Sequence, residues 1–282
     1  MRAYVLLLLI SAPVFADEPK AEAAAKPPEA KPDSKAEAKP EPMPATVWKA
    51  NVQAGVSYIA GNAESLGFTG NGVANVKHYN NQAEFFAQGA YTWVGIRDLM
   101  GGPVVGHKAA ALNWLGRARY DRYFAEKNTL FASFTISGDR FAGFTYRIEP
   151  QLGYSRILHK SDRLLLRTEL GYDYNFDHYV AGTVPDSSDF HSVRGFFFGE
   201  YKFNQQVALS DGLEVLWALN HVSRARVNNL LTLSAAVSTR VSVKLNWTLK
   251  SNFDPPPLPA PLTGQYGVLD STLDAALAVS IL

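Results

Sequence analysis

Apolar and polar residues alternate along the chain from residue 47 onward, and this period of two constrains the fold more than any other feature. In the first segment Ala50, Val52 and Ala54 lie on one side of the alternation, while Asn51 and Gln53 lie on the other. The pattern is typical of β-strands, whose successive side chains point to opposite faces. It predicts twelve strands, over residues 47–60, 65–77, 83–95, 109–122, 129–138, 143–156, 164–175, 192–203, 208–220, 229–238, 240–252 and 268–282.

The two faces of the predicted strands differ in charge. In the seventh strand Leu166 and Leu170 share the apolar face, while Arg167 and Glu169 share the polar one. Asp211 stands out as a charge on an apolar face, and we place it at the start of its strand, beside a turn. A nearly charge-free face suits contact with lipid, and a charged face suits a polar interior.

Strand length separates a membrane barrel from a soluble β-sandwich. The predicted strands run to about 10–14 residues, whereas soluble strands average about 5–6. The turns that follow the even-numbered strands are short. Three of the loops that follow odd-numbered strands are long, over residues 96–108, 176–191 and 253–267. We therefore predict an all-β fold, a single antiparallel up-and-down transmembrane β-barrel of about 12 strands in the bacterial outer membrane, with long loops outside and both termini in the periplasm.

The first 45 residues differ in composition from the barrel, which takes residues 46–282. Residues 1–16 combine one Arg, a short apolar run and small residues before the predicted cleavage site, the pattern of a secretory signal peptide. Residues 17–45 are almost entirely Ala, Pro, Lys and Glu, a composition that predicts a disordered periplasmic spacer. The composition leaves open whether this segment only separates or also binds the cell wall.

Net charge and cysteine content exclude several classes of function. The 282 residues carry a formal net charge of +1 and include no cysteine. A near-neutral chain offers no basic surface to nucleic acid, and without cysteine it has no disulfide, thiolate ligand or cysteine nucleophile. We expect no nucleic-acid partner and no cofactor. The expected partners are outer-membrane lipid and lipopolysaccharide, the barrel-assembly machinery and, through residues 17–45, the cell wall.

Aromatic residues lie near the ends of the predicted strands. This placement fits the girdles with which membrane barrels meet lipid headgroups. The predicted girdle consists of Trp48, Tyr58, Tyr91, Trp93, Tyr120, Tyr154, Tyr174 and Tyr201.

Charged residues of both signs occupy the inward positions. The predicted lumen network consists of Arg117, Arg119, Arg147, Glu149, Arg167, Glu169, Arg194, Glu200, Lys202, Glu214, Lys244, Lys250, Asp270 and Asp274. Such residues either pair across strands and close the interior, or line a narrow path for ions and small solutes. Barrels of about 8 strands are filled and those of about 16 are open, so twelve strands leave both interpretations open.

Two polar clusters near the outer rim suggest other chemistry. The loop 176–191 holds carboxylates and imidazoles able to ligate a divalent cation, but their spacing matches no metal-binding pattern. These residues are Asp177, His178, Asp186, Asp189 and His191. A membrane-embedded lipid hydrolase would need a Ser–His pair, for which His191–Ser192 and His221 with Ser223 are the candidates, although neither occupies a known nucleophile motif. We assign no catalytic residue and no metal site.

A proline-rich stretch, Pro255 to Pro261, occupies the last long loop. Polyproline stiffness allows it to fold inward as a constriction or to lie outside as a rigid surface segment. The sequence leaves this choice open.

Four stretches of the chain resemble a known family. They are GNAESLGFTGNG (residues 61–72), ARYDRYF (118–124), YRIEPQLGY (146–154) and SDGLEVLWALN (210–220). The chain from about residue 51 resembles the uncharacterised salt-induced outer-membrane protein family, which implies an outer-membrane β-barrel and no defined reaction. Such barrels usually end in an aromatic residue, whereas this chain ends in Leu282.

These features together favour a non-enzymatic outer-membrane barrel that forms a narrow pore with a charged lumen. The alternative is an envelope-stabilising barrel whose lumen is closed by salt bridges. A lipid hydrolase is the third hypothesis.

Overall fold

The computed structural model describes residues 46–59, 65–97, 104–220 and 224–281. They form twelve strands: β1 (Val47–Ile59), β2 (Ser65–His78), β3 (Asn81–Arg97), β4 (Val104–Ala125), β5 (Asn128–Asp139), β6 (Phe144–Lys160), β7 (Leu164–Tyr179), β8 (Ser187–Lys202), β9 (Val207–Ala218), β10 (Ala225–Ala236), β11 (Val241–Asn252) and β12 (Leu269–Ser280). Consecutive strands pair antiparallel, and β1 also pairs with β12, so the sheet closes. The predicted all-β barrel of twelve strands is confirmed.

The barrel closes along a short seam between its first and last strands. β1 meets β12 over only a few residues, from Asn51 opposite Ser280 to Gly55 opposite Ala276. A Cβ at Gly55 would lie 2.5 Å from Thr69 Oγ1 and 3.2 Å from a backbone carbonyl of β12. Glycine therefore allows the first and last strands to approach closely.

The alternation separates an apolar outer surface from a polar lumen, as β7 illustrates. Leu170 is 63% exposed on the outer surface, whereas Glu169 is 2% exposed and Asp173 fully buried on the inner side. A closed barrel satisfies its backbone hydrogen bonds internally and can face lipid. This is the architecture of an outer-membrane protein.

In the described part of the chain, no helix is long and apolar enough to cross a membrane.

Two predicted loops are shorter in the structure because their strands continue into them. β7 extends to Tyr179 and β8 begins at Ser187, so the connection covers only residues 180–186. Likewise β3 runs to Arg97 and β4 starts at Val104. The predicted bounds 96–108 and 176–191 are therefore wrong, because β-pairing tolerates polar residues once the strands leave the membrane.

Asp211 does not lie beside a turn as expected. It is the fifth residue of β9 and pairs with Gly199 of β8 and Leu231 of β10. Asn229 Nδ2 donates a hydrogen bond to its carboxylate at 2.7 Å. A neighbouring amide thus satisfies a charge on the outer face.

The predicted signal peptide (1–16) and spacer (17–45) lie outside the described residues. Both stay predictions.

Candidate functional site

A cavity of about 870 Å³ runs through the lumen. One end is lined by Gln82 and Tyr123, close to the turns 79–80 and 126–127. That end of the barrel, which also carries the turns 161–163, 203–206 and 237–240, is called the short-turn end. At the opposite, long-loop end the cavity is lined by Pro256, Leu258 and Tyr266 of the β11–β12 loop. The cavity therefore extends along most of the barrel axis.

Most of the charged residues predicted for the lumen line this cavity. They are Arg117, Arg119, Arg147, Glu149, Arg167, Glu169, Arg194, Glu214, Lys250 and Asp270. Glu200 and Asp274 are buried on the inner side of β8 and β12, away from the cavity, and Asn246 Nδ2 donates to Asp274 Oδ2 at 3.1 Å. Lys202 and Lys244 are half-buried and do not line it.

Glu169 is the hub of an ion-pair network that joins inward positions on several strands. Its carboxylate, fully buried, accepts hydrogen bonds from Arg119 at 2.9 Å and 3.1 Å and from Arg194 at 2.8 Å. Arg119 also pairs with Asp121 at 2.8 Å, and Arg194 with Glu214 at 2.6 Å. Each partner of a buried charge lowers the cost of its desolvation. The network joins β4, β7, β8 and β9 into one continuous chain of charges.

A second group of charges crosses the lumen nearer the long-loop end. Arg226 of β10 reaches Glu149 of β6 at 3.4 Å, although these strands are not neighbours. Asn175 Nδ2 also donates to Glu149, at 2.7 Å, and Arg147 pairs with Asp177 at 2.5 Å. The ion pair between β6 and β10 therefore narrows the lumen.

Sequence reasoning missed a set of inward phenylalanines whose rings contact the arginine side chains. The guanidinium of Arg119 lies 4.1 Å from the ring centre of Phe131, and that of Arg226 lies 4.7 Å from Phe190. Such cation–π contacts stabilise a cation that has left bulk water. A signal was present in residues 194–198, RGFFF, where Phe196 and Phe198 share the phase of Arg194.

The ring of Phe131 occupies the space left by the absence of a side chain at Gly153, which faces Gly171 of β7. A Cβ at Gly153 would lie 2.6 Å from Phe131 Cζ and 2.7 Å from Leu170 O. The position of Phe131, which supports Arg119, therefore requires that residue 153 has no side chain.

We therefore expect Gly153→Ala to lower the free energy of unfolding by about 1–3 kcal/mol through overpacking. Urea unfolding of the barrel in lipid vesicles measures the change. Gly195→Ala is the matched control, because a Cβ there meets nothing within 4 Å. Equal stability of the two variants would contradict the packing argument.

The proline-rich loop, residues 253–268, lies across the mouth of the barrel. Pro256 and Tyr266 pack on Gly143, in the β5–β6 turn on the opposite wall, where an added Cβ would lie within 3 Å of both. The amide of Ala260 donates to Gly182 O at 2.9 Å. An ion pair between Asp254 and Arg224 ties down the start of the loop. The structure selects the inward constriction of the two arrangements that the sequence left open.

The loop residue Tyr266 is partly buried by this packing. Burial raises the pKa of its phenol above the ordinary value, and the nearby carboxylate of Asp139 adds to the effect. The phenol therefore stays neutral at physiological pH.

The predicted girdle aromatics fall into two groups. Trp48, Tyr120, Tyr154 and Tyr201 lie toward the short-turn end, where Tyr120 Oη donates to Asn81 Oδ1 at 2.6 Å. Tyr91, Trp93 and Tyr174 lie toward the other end, and the rings of Tyr91 and Trp93 are 5.5 Å apart. The side chain of Tyr58 is not among those that the structure describes. Exposed Trp48, Tyr91, Tyr120 and Tyr201 face outward.

The candidate pair for a hydrolase is divided by the barrel wall. His191 is exposed on the outer surface, where its ring bonds to the hydroxyl of Tyr172. Ser192 is fully buried on the lumen side of the same strand. Side chains on opposite faces of a sheet cannot share a proton directly. The other candidates, His221 and Ser223, lie outside the described residues.

The residues considered for a metal site, but not assigned to one, do not converge either. Asp177 points into the lumen, whereas His178 stacks on Tyr146 on the outer surface. Asp186 lies in the connection between β7 and β8, and Asp189 is exposed on the outer side of β8. Over the ranges that the structure describes, no group of His, Asp or Glu side chains is arranged to hold a metal ion.

Comparison with known proteins gives a family match and several distant structural likenesses. The model of a family described as a protein of unknown function, DUF481, matches residues 52–261. No curated protein matches the chain.

Solved barrels are similar to this one at low identity. The NanC porin has a TM-score of 0.48 at 10% identity, over 83% of this chain and 100% of that one. An outer membrane channel from Pseudomonas putida F1 has a TM-score of 0.44 at 12% identity, over 87% and 100%. The anion-selective porin from Comamonas acidovorans has a TM-score of 0.39 at 10% identity, over 84% and 99%.

Proposed function

The chain belongs to the family of proteins of unknown function DUF481, and we propose that it is a narrow, non-enzymatic outer-membrane channel for ions and small solutes. The cavity of about 870 Å³ is the observation that carries this proposal, because its lining runs from Tyr123 to the β11–β12 loop. Charged side chains of both signs along a cavity can replace part of the hydration shell of ions and polar solutes as these pass. The Arg226–Glu149 pair and the loop 253–268 are the constrictions.

The second candidate function is an envelope-stabilising barrel with a closed lumen. The ion pair between Arg226 and Glu149 favours it, because this contact spans two strands that are not neighbours. A barrel closed by such contacts would stabilise the envelope and anchor the N-terminal segment to the membrane, but solutes would not pass through it. The two candidates differ in one measurable quantity, the conductance.

The purified, folded protein is expected to give discrete current steps in planar lipid bilayers. Arg117 and Arg167 line the cavity, so Arg117→Glu and Arg167→Glu should each shift the selectivity toward cations. The reversal potential in a salt gradient measures this shift.

Arg156→Glu is the matched control, since Arg156 is exposed on the outer surface of β6, near the short-turn end. Its selectivity should equal that of the parent protein. If the folded parent gives no steps, the channel is wrong and the closed, structural barrel stands. If it conducts with unchanged selectivity in both lumen variants, Arg117 and Arg167 do not line the path.

Orientation and partners follow from the same proposal. The short-turn end faces the periplasm with both termini, as is usual for outer-membrane barrels. Residues 1–16 then direct export, and residues 17–45 hang toward the cell wall as a spacer or a tether. Outer-membrane lipid and lipopolysaccharide surround the apolar face, and the barrel-assembly machinery inserts it. Induction by salt stays a prediction of the family resemblance.

A further inference from the structure

Arg167 is the lumen arginine that the ion-pair network leaves without a hydrogen bond. Its Nε lies 3.7 Å from Glu169 Oε1, beyond hydrogen-bond distance, and is buried without an acceptor. Among the residues that the structure describes, none accepts a hydrogen bond from this guanidinium. A guanidinium carries five N–H donors in a planar fork. Arg167 therefore retains its terminal N–H groups, those of Nη1 and Nη2, for something else in the cavity that it lines.

The neighbouring carboxylates are already occupied by other arginines. Glu169 accepts hydrogen bonds from Arg119 and Arg194 through both of its oxygens. Arg119 and Arg194 have further partners in Asp121 and Glu214. Arg167 is thus the cation that this cluster binds least strongly.

Aromatic rings hold the Arg167 side chain in place. Its guanidinium lies 5.8 Å from the ring centre of Phe196 and 5.5 Å from that of Phe198. The side chain is held without its N–H groups being consumed, because a cation–π contact uses the charge and not the donors. Because the side chain is already held in place, less conformational entropy is lost from it when a ligand binds.

The surroundings also select among anions. Apolar groups of Phe86, Leu115 and Phe196 line the same cavity. The carboxylates of Glu84 and Asp121 line the same cavity and repel a second negative charge on a ligand. The fork of an arginine matches the two oxygens of a carboxylate.

We propose that Arg167 forms a binding site for a small organic monocarboxylate with an apolar body, the solute class that the lumen admits. The site rests on the proposed function in that solutes must reach the lumen. It adds to the charge-lined channel one position at which a solute is recognised.

Calorimetric titration of the folded, full-length protein in detergent tests the site, with benzoate as the probe and benzyl alcohol as its uncharged counterpart. Benzoate is expected to bind saturably and benzyl alcohol not. Arg167→Met should weaken benzoate binding by about ten- to a hundred-fold, as expected for loss of a charge-assisted, two-point contact. Arg167→Lys keeps the charge without the fork, so it should fall between the two.

Arg156→Met serves as the matched control and should bind benzoate like the parent. Native electrophoretic mobility before and after heating checks that each variant is folded. The site is wrong if benzoate does not bind, if Arg167→Met binds it equally, or if inorganic phosphate binds as tightly. Conductance without benzoate binding would remove the site and leave the channel, whereas binding without conductance would keep the site and remove the channel.

Discussion

Replacement of residues 254–267 by a four-residue Gly-Ser linker is expected to raise the single-channel conductance several-fold. The loop crosses the mouth from β11 and β12 to the β5–β6 turn, where Pro256 and Tyr266 pack on Gly143. Its removal widens the narrowest part of the entrance, and conductance rises with the cross-section of a pore. The hydrogen bond from Asn252 N to Val268 O, at 2.8 Å, remains to close the shortened hairpin.

Conductance in planar bilayers at fixed salt is the measurement, on parent and shortened proteins refolded side by side. Thr263→Ala is the control within the same loop, because Thr263 is exposed and does not line the cavity. It should conduct like the parent. An unchanged conductance in the shortened protein would mean that the deeper ion pairs, such as Arg226–Glu149, limit the current.

Substitution Glu169→Gln should change both stability and selectivity. It leaves Arg119, Arg167 and Arg194 around a neutral amide, and removal of one partner of a buried ion pair costs about 3–5 kcal/mol. The added positive charge in the lumen should also shift selectivity toward anions. Urea unfolding in vesicles and reversal potentials measure the two effects.

Glu200→Gln is the matched control for this prediction. Glu200 is likewise buried on the lumen side, but within the described ranges it has no arginine or lysine within ion-pair distance. The same chemical change should therefore cost much less stability. The double variant Glu169→Gln, Arg167→Met should recover part of the parent selectivity, since it removes one cation with the anion. Equal loss of stability in the two single variants would show that Glu169 is not a hub.

The sequence predicted the number of strands and their faces well because the period of two reflects backbone geometry directly. In β7, Glu169 and Asp173 occupy the inner side and Leu170 the outer side, as the alternation predicts. Strand ends were less predictable. β7 continues to Tyr179 and β8 begins at Ser187, because polar residues pair as well as apolar ones beyond the membrane.

The contacts of the candidate site could be predicted only in part. The phase of Arg119 and Glu169 predicts that both face the lumen, but they lie on strands that are not neighbours, and their contact depends on the curvature of the closed sheet. Phe131 was missed because an inward aromatic breaks a simple rule of polar inside and apolar outside. Gly153 makes room for it, and only the pairing of Phe131 with Gly153 across β5 and β6 reveals this.

The sequence by itself determined the barrel, since alternation and strand length follow from local geometry and the thickness of the bilayer. It also determined which side chains face the lumen. Only the tertiary structure decided that Arg226 reaches Glu149, that Arg167 is left without a hydrogen bond, and that the loop 253–268 lies over the mouth. These contacts join residues far apart in the chain, and their distances depend on how the closed sheet curves.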